Sequence, residues 1–270
     1  MKTSDSTYDV SKTSLGMEAE LNRLKAQALM GWEKECRYLQ WYGLSDGMNV
    51  LEAGCGPGYV TEQLIKNFPN RNHNSSKVKY VQASIYDTKL PEDHYDFVIA
   101  RLIFLHLYDP LKATLEIFRV LKPGGKVAII DIDDGIFGVV EPSVESFRSV
   151  LDKLIAMQRK AGGNREIGRS LPRLLKQAGF SNIDMEAVSV HSDLVGLEGF
   201  QEQLNPNRFE QFYRLGILSD SDYHNIVKAH DNLLHNPDSY AMMIFHIACG
   251  TKSFQGNEEE TAERLAVVHL

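Results

Sequence analysis

The chain has 270 residues, 43% hydrophobic and 24% charged, with a net charge of −7. That is enough chain to bury a large core as one domain or as one domain carrying an insertion. There is no Lys/Arg block of the kind that neutralises phosphates, so nucleic acid is not an expected partner. No apolar run approaches the length of a membrane span, and no membrane contact is expected.

The segment Met1–Val10 is polar and carries no apolar signal core. The three cysteines, Cys36, Cys55 and Cys249, are widely spaced and odd in number, which fits a reducing cytoplasmic setting better than a disulfide framework. No metal-ligand spacing appears.

Residues 1–14 read as loose. From Leu15 to Tyr42 apolar residues recur at three-to-four spacing, predicting helix with a second piece over Glu33–Trp41. Asn49–Ala53 predicts a first strand, buried on both faces. The turn Gly54-Cys55-Gly56-Pro57-Gly58 follows, and then an amphipathic helix to about Asn67. Strand, glycine turn and helix start together form an anion- or cofactor-binding device. Glycine lets the backbone approach a ligand, and the helix start offers free N–H groups.

A polar loop spans Pro69–Ser76. Val78–Ala83 then predicts a strand, Tyr86–His94 a loop, and Asp96–Ala100 a further buried strand. Asp109-Pro110 predicts a helix N-cap and first position, with the helix running to Leu121. Lys122-Pro123-Gly124-Gly125 turns into a strand over Lys126–Asp131. Glu141-Pro142 opens a helix to about Ala161, Leu171–Ala178 a short one, and Ile183–His191 a strand. Helical spacing fills Leu194–His235, and Tyr240–Cys249 predicts the last strand. This alternation argues an α/β fold with a mostly parallel sheet.

Three stretches now stand together: Val50-Leu51-Glu52-Ala53-Gly54-Cys55-Gly56-Pro57-Gly58, Tyr95-Asp96-Phe97-Val98-Ile99-Ala100-Arg101, and Arg119-Val120-Leu121-Lys122-Pro123-Gly124-Gly125-Lys126. Over roughly Tyr8 to Lys252 the chain resembles the class I S-adenosylmethionine-dependent methyltransferases of small-molecule type. The resemblance implies a Rossmann-like sheet with helices on both faces, an antiparallel last strand and a helical lid insertion. The expected organisation is an N-terminal helical cap (1–44), a core (45–192 and 237–252), a lid (193–236) and a tail (253–270).

The cofactor implied is S-adenosyl-L-methionine. By the same resemblance Gly54, Gly56 and Gly58 pass beneath its methionine part, and Glu52 orients the loop or the amino group. Tyr8, Arg23 and Gln27 lie in the segment that folds over the cofactor, with Arg23 at the methionine carboxylate; the other reading of Arg23 is a solvated helix charge. Arg101, at its strand end, stands where the family meets the methionine moiety, or else forms a salt bridge. Ser84, with Ile85 beside it, occupies the position of an adenine-binding Asp.

The sequence leaves no room for the family's second strand and its helix, and no Asp or Glu lies between Glu62 and Asp87 to clamp the ribose hydroxyls. Either Val78–Ala83 takes that place, bringing Ser84 or Asp87 to the ribose, or the sheet loses a member. Each lost charge-assisted hydrogen bond costs ~1.5–3 kcal/mol. The resemblance therefore leaves two functions open: methyl transfer to a small organic acceptor by in-line displacement, or a methyltransferase-like binding protein with weak or no turnover.

Candidates for acid–base work at the strand ends are His106, Asp131, Asp133 and His191. His106 is chosen with Asp133, against readings as a packed histidine and a loop cap. Phe200, Phe209, Phe212 and Tyr213 read as core or as a pocket wall. No Asn/Asp-Pro-Pro-Tyr/Phe motif for exocyclic or amide nitrogens occurs. The acceptor atom and the oligomeric state stay open.

Overall fold

The structure, a computed structural model, describes residues 6–8, 16–68, 78–136, 138–143 and 147–254. The polar loop at 69–77, most of the expected loose N-terminus and the tail beyond 254 lie outside the described residues.

Two helices, α1 (Met17–Leu29) and α2 (Trp32–Trp41), precede β1 (Val50–Ala53) and α3 (Tyr59–Asn67). Then come β2 (Tyr95–Arg101), α4 (Pro110–Val120), β3 (Leu121–Ile132), β4 (Gly138–Glu141), α5 (Phe147–Lys160), α6 (Leu171–Gln177) and β5 (Phe180–His191). Four helices follow before the last strand: α7 (Ser192–Val195), α8 (Glu198–Leu204), α9 (Glu210–Arg214) and α10 (Asp220–His235); β6 (Tyr240–Lys252) ends the sheet.

One six-stranded sheet organises the molecule. β1 pairs with β2 and β2 with β3, both in parallel, whereas β6 is antiparallel to β3, β4 and β5. Five strands thus run one way and the last strand runs against them. β3 uses Phe245–Thr251 of β6 and β4 uses Tyr240–Met243, so β4 extends the line of β3 along one edge of β6 while β5 covers the other.

The core strands are continuous apolar runs, as a sheet covered on both faces requires. Val98, Ile99, Ala128, Ile129, Ile130 and Ile247 are all fully buried. Helix α4 buries Ala113, Ile117 and Val120, a four- and three-residue spacing that falls on one face. Its start is set by chemistry legible in sequence. Pro110 fills the first position and the Asp109 carboxylate accepts from Lys112 N at 3.0 Å. Asp109→Ala is expected to lower unfolding free energy by about 1 kcal/mol in urea denaturation, with an unchanged m-value.

Three expectations are corrected. Val78–Ala83 is not a strand: the segment has no regular secondary structure and pairs with no strand of the sheet, and Val78, Tyr80 and Val81 are exposed. It neither takes the place beside β1 nor forms a strand elsewhere, since alternation alone cannot hold a strand without a ladder partner. β1 is accordingly half-buried throughout rather than buried on both faces, with β2 its only neighbour among the described residues. The Glu141-Pro142 helix start is displaced too: Glu141 closes the short β4, and the helix begins at Phe147.

Candidate active site

β1, β2 and β3 all end on the same side of the sheet, which in open α/β folds is the ligand-binding edge. A cavity of about 1230 Å³ lies there, larger than the roughly 300–1,000 Å³ of an ordinary small-molecule site. Its floor is the glycine turn. Its walls come from α1, α5 and the α8–α9 region, and residues 78–85 form one side.

The turn leaves β1 through Gly54 at φ +79 and Gly56 at φ +50, both left-handed. A Cβ on Gly54 would stand 2.6 Å from Ile103 Cγ2, so that glycine is demanded by packing. A Cβ on Gly56 would meet nothing within 4 Å. It would project into open space at the cavity lining. Gly58 is the left-handed N-cap of α3 and lies behind Tyr80, whose hydroxyl would come within 3.3 Å of a Cβ there. Glu52 lines the cavity and accepts from the Thr61 hydroxyl; burial raises its carboxyl above the usual range, against the pull of Thr61 and Arg101.

On the opposite wall, Arg23 donates to both oxygens of Glu20, at 2.9 and 2.6 Å, and to Gln27 Oε1 at 3.4 Å. Tyr8 donates to Glu20 at 2.7 Å. Burial opposes ionisation of Glu20, but the Arg23 and Tyr8 hydrogen bonds hold its carboxyl below the ordinary value. Burial and the Glu20 charge push the Tyr8 phenol up to about 12. Arg23 is therefore a buried, oriented charge rather than a solvated one.

His106 also faces the cavity. Its Nδ1 lies 3.2 Å from Thr7 Oγ1 and 3.2 Å from Gln158 Nε2. Gln158 Nε2 also donates to Thr7 Oγ1 at 2.6 Å and to Leu105 O at 3.1 Å, so these contacts are compatible with either ring tautomer. Burial, with the Arg165 and Arg23 charges, lowers its pKa to about 4, so the ring is neutral at pH 7. Ser84 and Ile85 line the cavity as well, with Ser84 Oγ accepting from Tyr86 N at 3.1 Å.

Other expected residues are placed elsewhere. The Asp87 side chain points to solvent and pairs with Lys89, because the Ser84–Asp87 turn carries it outward. Asp133 is fully buried and off the cavity, gripped by Arg169 at 2.5 and 2.6 Å and by Gly135 N at 2.9 Å. That carboxylate is a loop anchor with no path to a substrate. Asp131 turns inward onto the backbone N–H groups of Leu105 and Ile132, and burial raises its pKa to about 7. His191 is not part of the cavity lining. Arg101 lines the cavity, but its guanidinium is held by Glu35, at 2.7 and 2.9 Å. Of the aromatic candidates, Phe209 and Phe212 line the cavity, whereas Phe200 packs in the core and Tyr213 stacks on Tyr223.

Sequence reading missed Thr7, Thr61, Gln158, Arg165 and Arg208. Thr61 had a signal, since it sits in the first turn of the helix after the glycine loop. The others come from separate loops and helices and carry no local pattern. Leu102, on the cavity wall, holds a left-handed φ of +54 right after β2, a strained conformation for a bulky residue that the surrounding structure must enforce. Among the described residues no cluster could hold a metal ion, and no helix is long and apolar enough to cross a membrane.

Residues 62–129 match the methyltransferase domain family. The uncharacterized methyltransferase YdaC of Bacillus subtilis is 27% identical over 173 residues, which cover 56% of this chain and 82% of that protein. The sterol 24-C-methyltransferase erg6 of Aspergillus fumigatus is 31% identical over 119 residues, 37% of this chain but only 29% of that protein. A chain of the complex containing the Haloferax volcanii Trm112 methyltransferase activator superimposes with a TM-score of 0.50 at 13% identity, covering 88% of this chain and 97% of that one. That likeness speaks to the fold alone. The glycine turn at the sheet edge, the matched methyltransferase domain and these relatives support a class I S-adenosylmethionine-dependent methyltransferase, with S-adenosylmethionine as cofactor.

Proposed function

We propose that this chain transfers a methyl group to a small organic acceptor by in-line displacement inside the cavity at the strand ends. The observation that carries this reading is the joining of two unlike surfaces in one space. A glycine turn with open room above Gly56 faces an apolar wall from α5 and the α8–α9 region. The volume suits a cofactor and an acceptor side by side.

When bound, S-adenosylmethionine supplies a methyl already activated as a sulfonium. Gly54 and Gly56 would give the methionine half its floor, Glu52 an acceptor for the amino group, and Arg23 a partner for the carboxylate, with Tyr8 and Gln27 steadying that arginine. Gly58 starts α3 and aims its first N–H groups into the turn. Ser84 and Ile85 would flank the adenosine side. Arg101 acts from behind by fastening α1 and α2 to β2.

What remains for the protein is to orient the acceptor and exclude water, and proximity of this kind supplies much of the rate of a displacement. A neutral His106 suits an orienting hydrogen bond better than proton removal, because a pKa of about 4 makes a weak base. We infer that residues 193–236, with α8–α10, act as the lid over this space and the described part of 1–44 as the cap beside it. The three cysteines, all free, support a reducing cytosol as the setting.

Calorimetry with S-adenosylhomocysteine is expected to give a micromolar Kd, weaker than a full ribose clamp would allow. No heat up to about 1 mM ligand would overturn the reading. Release of S-adenosylhomocysteine from S-adenosylmethionine across a metabolite panel would then identify the acceptor.

A further inference from the structure

The cavity holds more positive charge than one methionine carboxylate accounts for. Four arginines line it from separate parts of the chain: Arg23 in α1, Arg101 at the end of β2, Arg165 in the loop after α5, and Arg208 between α8 and α9. Three are neutralised, Arg23 by Glu20, Arg101 by Glu35 and Arg165 by Asp134. Among the described residues Arg208 forms no ion pair. Its Nη1 donates to the backbone carbonyl of Gln203 and to Gln203 Oε1, and its guanidinium lies 5.7 Å from the Phe209 ring centroid.

The setting makes that charge costly. Burial, together with the Arg23 and Arg165 charges, lowers the Arg208 pKa to about 9, which leaves it protonated at neutral pH. The carboxylates that line the cavity are Glu20 and Glu52. Glu20 is already gripped by Arg23 and Tyr8, and Glu52 sits at the glycine turn with Thr61. Arg208 is half-buried, and the charges of Glu20 and Glu202 act on it without forming an ion pair, so its cost is offset only in part and an incoming anion would relieve it. A guanidinium also offers the planar fork that matches carboxylate and phosphate oxygens. Around Arg208 the wall is apolar, with Leu154, Met157, Phe209 and Phe212.

We propose that the acceptor is an amphipathic anion, with a carboxylate or phosphate monoester held by Arg208 and an apolar body laid against Phe209, Phe212 and Leu154. The inference rests on the methyltransferase reading and names the substrate class of the same site. It also gives the 193–236 segment a specific task, since Arg208 arrives with it.

The test is calorimetry on the full chain with octanoate, octyl phosphate and neutral octanamide, with and without S-adenosylhomocysteine. At least one anion is expected to bind about tenfold or more tighter than octanamide. Preference for octanoate would mark a carboxylate acceptor, and preference for octyl phosphate a phosphorylated one. Arg208→Gln is expected to remove the advantage and Arg208→Lys to keep part of it, with thermal melting showing that both variants fold. Equal binding of octanamide by the wild-type chain would overturn the proposal even if the glutamine variant did not fold. So would an anion advantage that survives in Arg208→Gln. If Arg208→Gln weakened S-adenosylhomocysteine and spared octanoate, the guanidinium would belong to the cofactor carboxylate and the proposal would fall. Failure of S-adenosylhomocysteine to bind at all would remove the methyltransferase reading of the cavity, while the octanoate comparison in the apo chain would still decide the anion site.

Discussion

Replacing Arg101 by methionine is expected to lower the unfolding free energy by about 3–5 kcal/mol, read as a fall in urea midpoint. The Glu35 side chain is completely buried and that of Arg101 is 5% exposed. Two hydrogen bonds join them at 2.7 and 2.9 Å, and Arg101 Nη2 also reaches Gln27 O at 3.0 Å and Met30 O at 3.3 Å. One guanidinium thus ties β2 to α2 and to the end of α1, and caps carbonyls that would otherwise be orphaned. Methionine can fill the space beside Phe245, but it leaves a buried carboxylate with no counter-charge. The double variant Arg101→Met with Glu35→Leu removes both charges and is expected to recover most of the loss, because a well-packed apolar pair can match a buried ion pair. A loss below about 1 kcal/mol in the single variant would show that water reaches Glu35 freely. The double variant should also bind S-adenosylhomocysteine like the parent, since the hydrogen bonds of the guanidinium go to Glu35, Gln27 and Met30.

That ion pair marks the boundary of what the sequence could disclose. Helix α4 was legible because its cap, its proline and its apolar face are all local: Asp109, Pro110, Ala113 and Ile117 lie within one short stretch. β2 and β6 were legible because long apolar runs have few other places to go. The glycine turn was legible because its backbone needs a residue type, not a partner. Arg101 and Glu35 are 66 positions apart, and nothing local says whether a strand-end arginine faces a ligand or a helix. Asp133 is the same case. Its position at the strand end suggested a substrate contact, but Arg169, 36 positions on, decides where the carboxylate goes. Val78–Ala83 failed for another reason. Alternating Val, Tyr and Val satisfy a pleated surface only where an adjacent strand offers its ladder, and no strand of the described residues extends one to this segment. Tyr80 lies against the glycine turn instead, lining the same cavity from outside the sheet. Arg208 shows the converse failure: its importance comes from two other arginines converging on it, which no spacing encodes.

The largest effect on ligand binding is expected from Gly56→Asn, at least about tenfold in S-adenosylhomocysteine affinity, equivalent to ~1.4 kcal/mol. Gly56 holds φ +50, a conformation asparagine tolerates better than other side chains. A Cβ there meets no protein atom within 4 Å, so the variant should fold and melt within a few degrees of the parent. The new side chain enters the room above the turn, where the methionine half of the cofactor would lie. Gly54→Ala provides the contrast two residues earlier. Its Cβ would stand 2.6 Å from Ile103 Cγ2, and the backbone is left-handed at φ +79, so its main effect should be a lowered melting temperature. The pair separates packing from binding within a single turn. Loss of affinity without loss of stability in Gly56→Asn would locate the ligand above Gly56. An unchanged Kd in that variant would place the cofactor elsewhere in the cavity, and the glycine turn would then be a structural corner between β1 and α3.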